Sequence, residues 1–454
     1  MIYSIDDFGE DFYWGVSTAA YQIEGGMNEG GKGLSIWDEF VKNKNKIKDG
    51  SNGNDACNHY HTFESDIEII DQLNIPNYRF SISWSRLLPN GTRKVNQQGI
   101  DFYNRLIDAC LEKGITPWVT LYHWDLPLAL EQKGGWTSRE MLNWFEDYVN
   151  LCARNFGDRV KHWMVLNEPM VFTGAGYFLA YHAPGRKGLS NFIPAMHHAT
   201  LCQGIGGRIL RNEVYKAKIG TTFSCSHIDP YGDTQNDITT AKRFDALLNR
   251  LFIEPTIGLG YPVRDLPLVQ RVEDYMKADD DSMMIFEFDF IGIQNYTHEV
   301  VKHSYLIPYL KGQIVNADER NVPITTMNWE VYPSAIYHIL KKFGKYDKIK
   351  ELIVTENGAA FEDSVISGKI RDLDRIQFIQ SYLDAVLRVK NEGVKVTGYF
   401  IWTLLDNFEW AEGYTQRFGL VYTDFITNQR IIKDSGYWYY RFLNSSKVRC
   451  LVQK

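Results

Sequence analysis

Eight short apolar runs, each followed by a stretch with helical spacing, constrain what this 454-residue chain can fold into more than any other feature. The runs are Phe12–Ser17, Asn77–Ser83, Thr116–Tyr122, Val160–Leu166, Lys218–Ser224, Phe288–Gln294, Glu351–Thr355 and Val396–Trp402. Segments between them repeat apolar residues every three or four positions, as in Phe63-Ile67-Ile70-Leu73 and Leu142-Phe145-Val149-Cys152. Strands alternating with helices pair in parallel through right-handed crossovers. Eight such units predict an α/β fold, a (β/α)8 TIM barrel with long βα loops, with residues 1–454 forming a single domain. An open doubly wound sheet has fewer strands and a Gly-rich phosphate turn after the first. No such turn is present, and Gly204-Ile205-Gly206-Gly207 falls inside a helical pattern. Asp279–Phe286 and His303–Thr326 are expected as long loops at the rim.

Charge excludes several partner classes. Lys and Arg total 49 against 56 Asp and Glu, a net charge of −7, and the one basic stretch, Lys42–Lys46, reads as a solvated loop. Neither nucleic acid nor an anionic membrane is an expected partner. The first residues, Met1-Ile2-Tyr3-Ser4-Ile5-Asp6-Asp7-Phe8, lack the basic and apolar regions of a signal peptide, and no apolar run reaches membrane-spanning length. Cys57, Cys110, Cys152, Cys202, Cys225 and Cys450 are scattered without a C-x-x-C pair, which predicts reduced thiols, a cytoplasmic location and no zinc site. His197-His198 has no E-x-x-H or Cys partner and reads as a packed pair rather than a metal site. Aromatic residues make up 14% of the chain, enough both for a large core and for rings facing sugar C–H surfaces.

Two strand-end carboxylates carry the chemistry. Leu166-Asn167-Glu168-Pro169 and Thr355-Glu356-Asn357-Gly358 each place a Glu where the backbone leaves a strand, 188 residues apart in sequence. Either Glu alone reads as a solvated loop residue. As a pair at the C-terminal rim of one barrel they match glycosidic bond cleavage, in which one carboxyl protonates the leaving oxygen and the other attacks the anomeric carbon. The same rim collects Gln22, Arg79, His123, Asn167, Asn295, Tyr296, Trp402, Glu409 and Trp410. These are mixed donors, acceptors and rings suited to a polyhydroxylated ligand.

Longer segments resemble family 1 glycoside hydrolases, β-glucosidase-like members among them. They are Trp14–Gly25, Tyr78–Arg86, Tyr122-His123-Trp124-Asp125-Leu126-Pro127, the two Glu segments and Trp402–Trp410, in order along residues 8–445. The resemblance implies Glu356 as nucleophile, kept ionised by Arg79 and the Tyr296 hydroxyl. It implies Glu168 as acid/base, its pKa raised by the charge of Glu356. Asn167 would bind the sugar 2-hydroxyl, and Gln22, His123 and Glu409 the other hydroxyls, with Trp410 alongside and Trp402 beneath the ring. Trp329 and Phe418 would line the leaving-group side, although Trp329 and Trp402 also read as core. Glu24, Trp84 and Asp406 read as scaffold. Val165 stands where the family commonly has Thr, a change expected to alter packing behind Glu168.

The implied activity is retaining hydrolysis of terminal β-D-glucosyl residues from cellobiose, short cello-oligosaccharides and aryl glucosides. No cofactor or metal is required, the partner is a small β-glycoside, and the protein is a monomer or homo-oligomer. Glu409 would repel a phosphate and accept bonds from free hydroxyls, favouring unphosphorylated sugars. Glu168, rather than the Gln of plant thioglucosidases, favours O-glycosides. The alternatives are a β-galactosidase or β-fucosidase, a 6-phospho-β-glucosidase, glycosyl transfer to an alcohol, or a non-catalytic sugar-binding protein.

Overall fold

In the computed structural model, which describes residues 3–445, all eight expected strands are present. They are β1 (Tyr13–Ser17), β2 (Asn77–Ser81), β3 (Thr116–Tyr122), β4 (His162–Asn167), β5 (Lys218–Ser224), β6 (Phe290–Gln294), β7 (Leu352–Asn357) and β8 (Val396–Trp402). Every neighbouring pair is parallel, and β1 pairs with both β2 and β8, so the sheet closes. One long helix follows each strand. These are α1 (His59–Gln72), α2 (Gln97–Glu112), α3 (Met141–Phe156), α4 (Leu189–Glu213), α5 (Gln235–Asp245), α6 (Ser334–Phe343), α7 (Leu373–Asn391) and α8 (Asp434–Leu443). The predicted stripes are the buried ones: Phe63, Ile67, Ile70 and Leu73 along α1, and Leu142, Phe145, Val149 and Cys152 along α3.

Two of the apolar clusters frame the barrel. The larger lies between barrel and helices, and α4 approaches β4 closely, since a Cβ on Gly206 would sit 2.6 Å from Val165. Val165 therefore packs outward against α4. The smaller core fills the N-terminal half of the barrel with Trp118, Met164, Phe290, Ile353 and Phe400. Phe290 fits because β5 carries Gly220, whose Cβ would lie 2.3 Å from its ring. This apolar plug closes the barrel from below and leaves polar side chains for the upper end.

Strand ends shift by a few residues from the sequence reading. β2 stops at Ser81 because Trp84–Leu87 turns into a short helix, and β4 begins at His162 and continues through Asn167. Asp279–Phe286 is not a rim loop. It contains the helix Asp280–Met284, precedes β6 and lies along α4, where Asp280 meets Arg139 and His197 at 2.8 Å each. Asp280 is fully buried and paired there. His303–Thr326 does extend the β6 end, partly as the strand Gly312–Ile314, which joins His227–Pro230 and His298–His303 in a small outer sheet. His197-His198 is a packed pair, bonded to Asp280, Tyr261 and the Trp136 carbonyl. The five described cysteines are free and buried, and Met1, Ile2 and Cys450 lie outside the described residues. Among the described residues no helix is long and apolar enough to cross a membrane.

A buried charge network braces the last two rim loops. Lys433, at the start of α8, donates to Asp363 at 2.5 Å and Asp406 at 2.7 Å. Arg375 joins Asp363 to Asp372, and Arg417 bonds Asp406 at 2.8 Å. Breaking such a pair strands a charge in low dielectric, at a cost of about 3–5 kcal/mol. Lys433→Met should therefore lower unfolding free energy by about that much in urea titrations. A loss below ~1 kcal/mol would show that the network contributes little.

Candidate active site

Above the apolar plug the barrel interior turns polar, and Arg79 of β2 stands at the change. Its Nε donates to Thr120 of β3 at 3.1 Å, one amino group to Glu356, and the other to Asn167 Oδ1 at 2.5 Å. Arg79 is fully buried and Glu356 nearly so. Glu356 also accepts from Tyr296 at 2.6 Å and from Gln294 at 2.8 Å. The β6–β7 register shifts between Val354 and Glu356, and the β4–β5 register between Met164 and Asn167. Bulges of this kind re-aim side chains at strand ends.

Glu168 follows Asn167 with φ at +45°, and Trp124 and Trp410 have φ of +78° and +50°. Left-handed backbone at a non-glycine residue costs roughly 1–3 kcal/mol and gathers at functional sites. All three residues line one cavity of about 400 Å³, together with Glu356. Of the twelve residues expected at the site, nine line this cavity: His123, Glu168, Tyr296, Trp329, Glu356, Trp402, Glu409, Trp410 and Phe418. Arg79, Asn167 and Gln22 sit behind them, buried. Gln22 holds the deep end by donating to Asn407 at 2.9 Å, the Phe408 carbonyl at 3.0 Å and Glu409 at 3.2 Å. His123 stacks between Trp402 and Trp410, with 5.9 Å between ring centres in both cases. At the other end Trp329, Tyr296 and Phe418 form an aromatic wall with centres 5.4–6.1 Å apart.

Hydrogen-bond accounting fixes which atoms remain available. Asn167 Oδ1 takes Arg79, Gln294 at 2.8 Å and Thr222 at 3.0 Å, so its amide nitrogen faces His123 Nε2 at 3.1 Å. An amide nitrogen only donates, so Nε2 accepts and the His123 proton resides on Nδ1. Burial, with Arg79 nearby, pushes the His123 pKa well below its ordinary value, so the ring is neutral. His123 Nδ1 and Gln22 Oε1 are buried atoms with no partner among the described residues. Buried polar atoms of this kind call for a ligand.

Three of the carboxyls lining this cavity, Glu168, Glu356 and Glu409, act on one another. Burial is the largest influence on Glu168 and raises it well above the ordinary range; the charge of Glu356 adds to this and a Ser224 bond opposes it. The expected cause, the charge of Glu356, is thus joined by burial, which comes ahead of it. Burial also raises Glu356, opposed by the Arg79 charge and by the Tyr296 and Arg79 hydrogen bonds. The proton of the pair therefore resides on Glu168 and the charge on Glu356. Glu409 is pushed up to about 8, by burial first and by Glu356 second. Burial thus weakens the charge on which the expected repulsion of phosphate rests. What the lining does lack is a cation, for no Lys or Arg is among its described residues.

Residues 4–448 match the glycosyl hydrolase family 1 model. The chain belongs to this family. Similar proteins include a 1,4-beta-D-glucan glucohydrolase from Thermotoga neapolitana, 44% identical over 434 residues that cover 95% of this chain and 97% of that one. Beta-glucosidase A from Acetivibrio thermocellus is 41% identical, covering 95% and 97%. A family 1 b-glucosidase from Thermotoga maritima superposes with a TM-score of 0.92 at 43% identity, over 96% of this chain and 98% of that one. The same relative has been solved in complex with glucoimidazole, with a TM-score of 0.91.

Several site residues of this family 1 hydrolase escaped the sequence reading. Gln294 bridges Asn167 and Glu356, and its place at the end of β6, just before Asn295-Tyr296, was the available signal. Trp124 lines the cavity and donates to the Asn167 carbonyl at 2.9 Å. Ser224 and Glu299 also line it, from β5 and from the strand beyond Tyr296. By contrast, Glu24 bonds Arg86 and Tyr103, Trp84 stacks on Tyr148, and Asp406 belongs to the Lys433 network, all as scaffold.

The ranking of burial over charge is measurable. In Glu356→Gln the neighbouring charge is gone but burial persists, so Glu168 should titrate lower than in wild type yet still above the ordinary Glu value of about 4.3. Carbon-13 NMR of labelled Glu, with Glu168→Gln for assignment, reads this directly. A return to the ordinary value would make charge the leading cause.

Proposed function

We propose that this family 1 hydrolase is a retaining β-glucosidase, with the whole chain as one catalytic domain. It removes terminal non-reducing β-D-glucosyl units from cellobiose, short cello-oligosaccharides and aryl β-glucosides. The observation that carries this reading is the asymmetry of two carboxyls facing one cavity. Glu356 is charged and held by Arg79, Gln294 and Tyr296, while Glu168 is protonated and free to donate. Relatives named beta-glucosidase, similar along nearly the whole chain, support the sugar assignment.

The steps follow from those states. Glu356 attacks the anomeric carbon as the bond to the leaving oxygen breaks, and Glu168 gives its proton to that oxygen. Esterified Glu356 carries no charge, so one of the influences raising Glu168 is removed and Glu168 can take a proton from water. That water attacks the same carbon, releases Glu356 as carboxylate and returns the β configuration. Asn167 offers its amide nitrogen to the 2-hydroxyl, since its oxygen is already occupied. Gln22 Oε1, His123 Nδ1 and Glu409 take the remaining hydroxyls, over Trp402 and beside Trp410. Trp329 and Phe418 flank the leaving group. A cavity lining without Lys or Arg supports unphosphorylated sugars, and buried thiols support a cytoplasmic setting.

Stereochemistry tests the mechanism. Early proton NMR should show β-glucose first, and the carboxyl separation in a sugar complex should be about 5–5.5 Å. α-Glucose as first product would overturn retention. Roles are separated by substitution. Glu356→Gly should lose several powers of ten in rate and recover turnover with azide, yielding an α-glycosyl azide. Glu168→Ala should still be glycosylated by dinitrophenyl β-glucoside while cellobiose hydrolysis collapses. Equal losses on both substrates would remove Glu168 from the acid role.

A further inference from the structure

A separate cavity of about 450 Å³ opens between α5, α6 and the strand His227–Pro230 of the outer sheet. None of its lining residues also lines the catalytic cavity. Ile228, Pro230, Ile238, Ala241 and Ile339 give it an apolar floor. Around that floor stand Lys242, Lys341, Lys342 and Lys345, with Asp245 as the one carboxylate in the lining. This is a cationic hollow in a chain of net charge −7, and the reverse of a catalytic cavity whose lining has no Lys or Arg.

Pairing divides the four lysines into two sets. Lys342 is held by Asp245, which also takes Arg250 at 2.9 Å. Lys341 is held by Glu392 and donates to Tyr337 at 2.8 Å. Lys242 and Lys345 are exposed, and their ammonium groups have no ion pair or hydrogen bond among the described residues. Lys242, Lys341 and Lys342 each lie in the last turn of a helix, where a cation offsets the helix dipole. That accounts for each position alone, but not for two helices presenting their cations to one hollow. Beside the lysines, His227 and His338 stack with ring centres 4.4 Å apart and planes 22° from parallel. His227 reaches Asp229 at 3.3 Å, while the His338 side chain has no hydrogen bond among the described residues.

We propose that this cavity is a second ligand site, separate from the catalytic one, and that it takes a nucleoside diphosphate. Lysine ammonium groups bind phosphate as point charges, and Lys242 and Lys345 are the two that lack a counter-ion. An apolar floor beside a pair of stacked imidazoles suits a flat heterocycle, and the volume is that of a small-molecule site. The phosphates lie on Lys242 and Lys345, and the base lies over the floor beside His227 and His338. The inference does not depend on the β-glucosidase reading.

Isothermal titration of the full-length protein with magnesium-free ADP at low salt tests the site. ADP should bind, and adenosine, pyrophosphate and glucose 6-phosphate should each bind at least roughly tenfold more weakly, since each lacks either the charge or the flat ring. Lys242→Ala and Lys345→Ala should each weaken ADP by roughly tenfold or more, the worth of a charged hydrogen bond, and added salt should weaken it further. Ile238→Trp, placed to fill the floor, should block ADP by bulk rather than by charge. All three variants should hydrolyse nitrophenyl β-glucoside at the wild-type rate, which shows that they are folded. Failure of ADP to bind wild type, or unchanged affinity in the lysine variants, would overturn the site. Pyrophosphate or glucose 6-phosphate binding as tightly as ADP would overturn the nucleotide assignment. Displacement of ADP by glucose would place it in the catalytic cavity and overturn the proposal as well.

Discussion

Arg79 sits on the barrel axis with no access to water, and the geometry of the site follows from neutralising it. A buried guanidinium is tolerated only when opposite charge and hydrogen-bond acceptors surround it. Here the acceptors are Glu356, Asn167 and Thr120, from three other strands. The position of Glu356 is therefore set from below by a charge that cannot leave. Gln294 ties Glu356 to Asn167, so the residue before Glu168 and the proposed nucleophile share one amide clamp. Shifted registers at the ends of β4 and β7 turn both Glu side chains into the same space. The plug beneath, centred on Trp118 and Phe290, keeps that frame from sinking.

One guanidinium balances one carboxylate, yet Glu168 and Glu409 lie within reach of the same charge. Burial opposes a second and third charge, which is why Glu168 and Glu409 are both raised. The folded state binds these protons more tightly than the unfolded chain. Their contribution to stability is present below the ordinary Glu range and lost as pH rises through the folded values, about 8 for Glu409. Left-handed backbone at Glu168, Trp124 and Trp410 adds a further conformational cost at the same place. The buried network around Lys433 and Arg375 offsets part of this by fixing the loops that follow β7 and β8.

Much of this frame was legible in the sequence because it repeats or because it is local. Apolar runs fixed the strands within a few residues, and the three-and-four spacing fixed α1 and α3. The two Glu segments were visible because each lies at a strand end. The bridging role of Gln294 was less accessible, since it depends on register between β5, β6 and β7, which no local pattern encodes. Asp279–Phe286 misled for a related reason: Asp280 is drawn against α4 by Arg139 and His197, residues more than 80 positions away. The protonation order was half legible. Charge between the carboxyls could be foreseen from their pairing, but burial depends on the loops that close over them.

The two ends of the cavity are built on different principles, and this explains what local pattern could reveal. At the sugar end, Gln22, His123, Asn167 and Glu409 are held by strand ends and buried partners, so each sits inside a recognisable segment. At the leaving-group end the walls come from the extension beyond β6, where direction is set by the two-residue period of a strand. In His298–His303, His298 and Val300 are buried, with His298 turned into the Arg320–Glu330 network. Glu299, between them, lines the catalytic cavity, and both His298 and Glu299 reach the outer cavity beside it. The outer wall thus hangs on a short outer strand, while the catalytic carboxyls hang on the closed barrel.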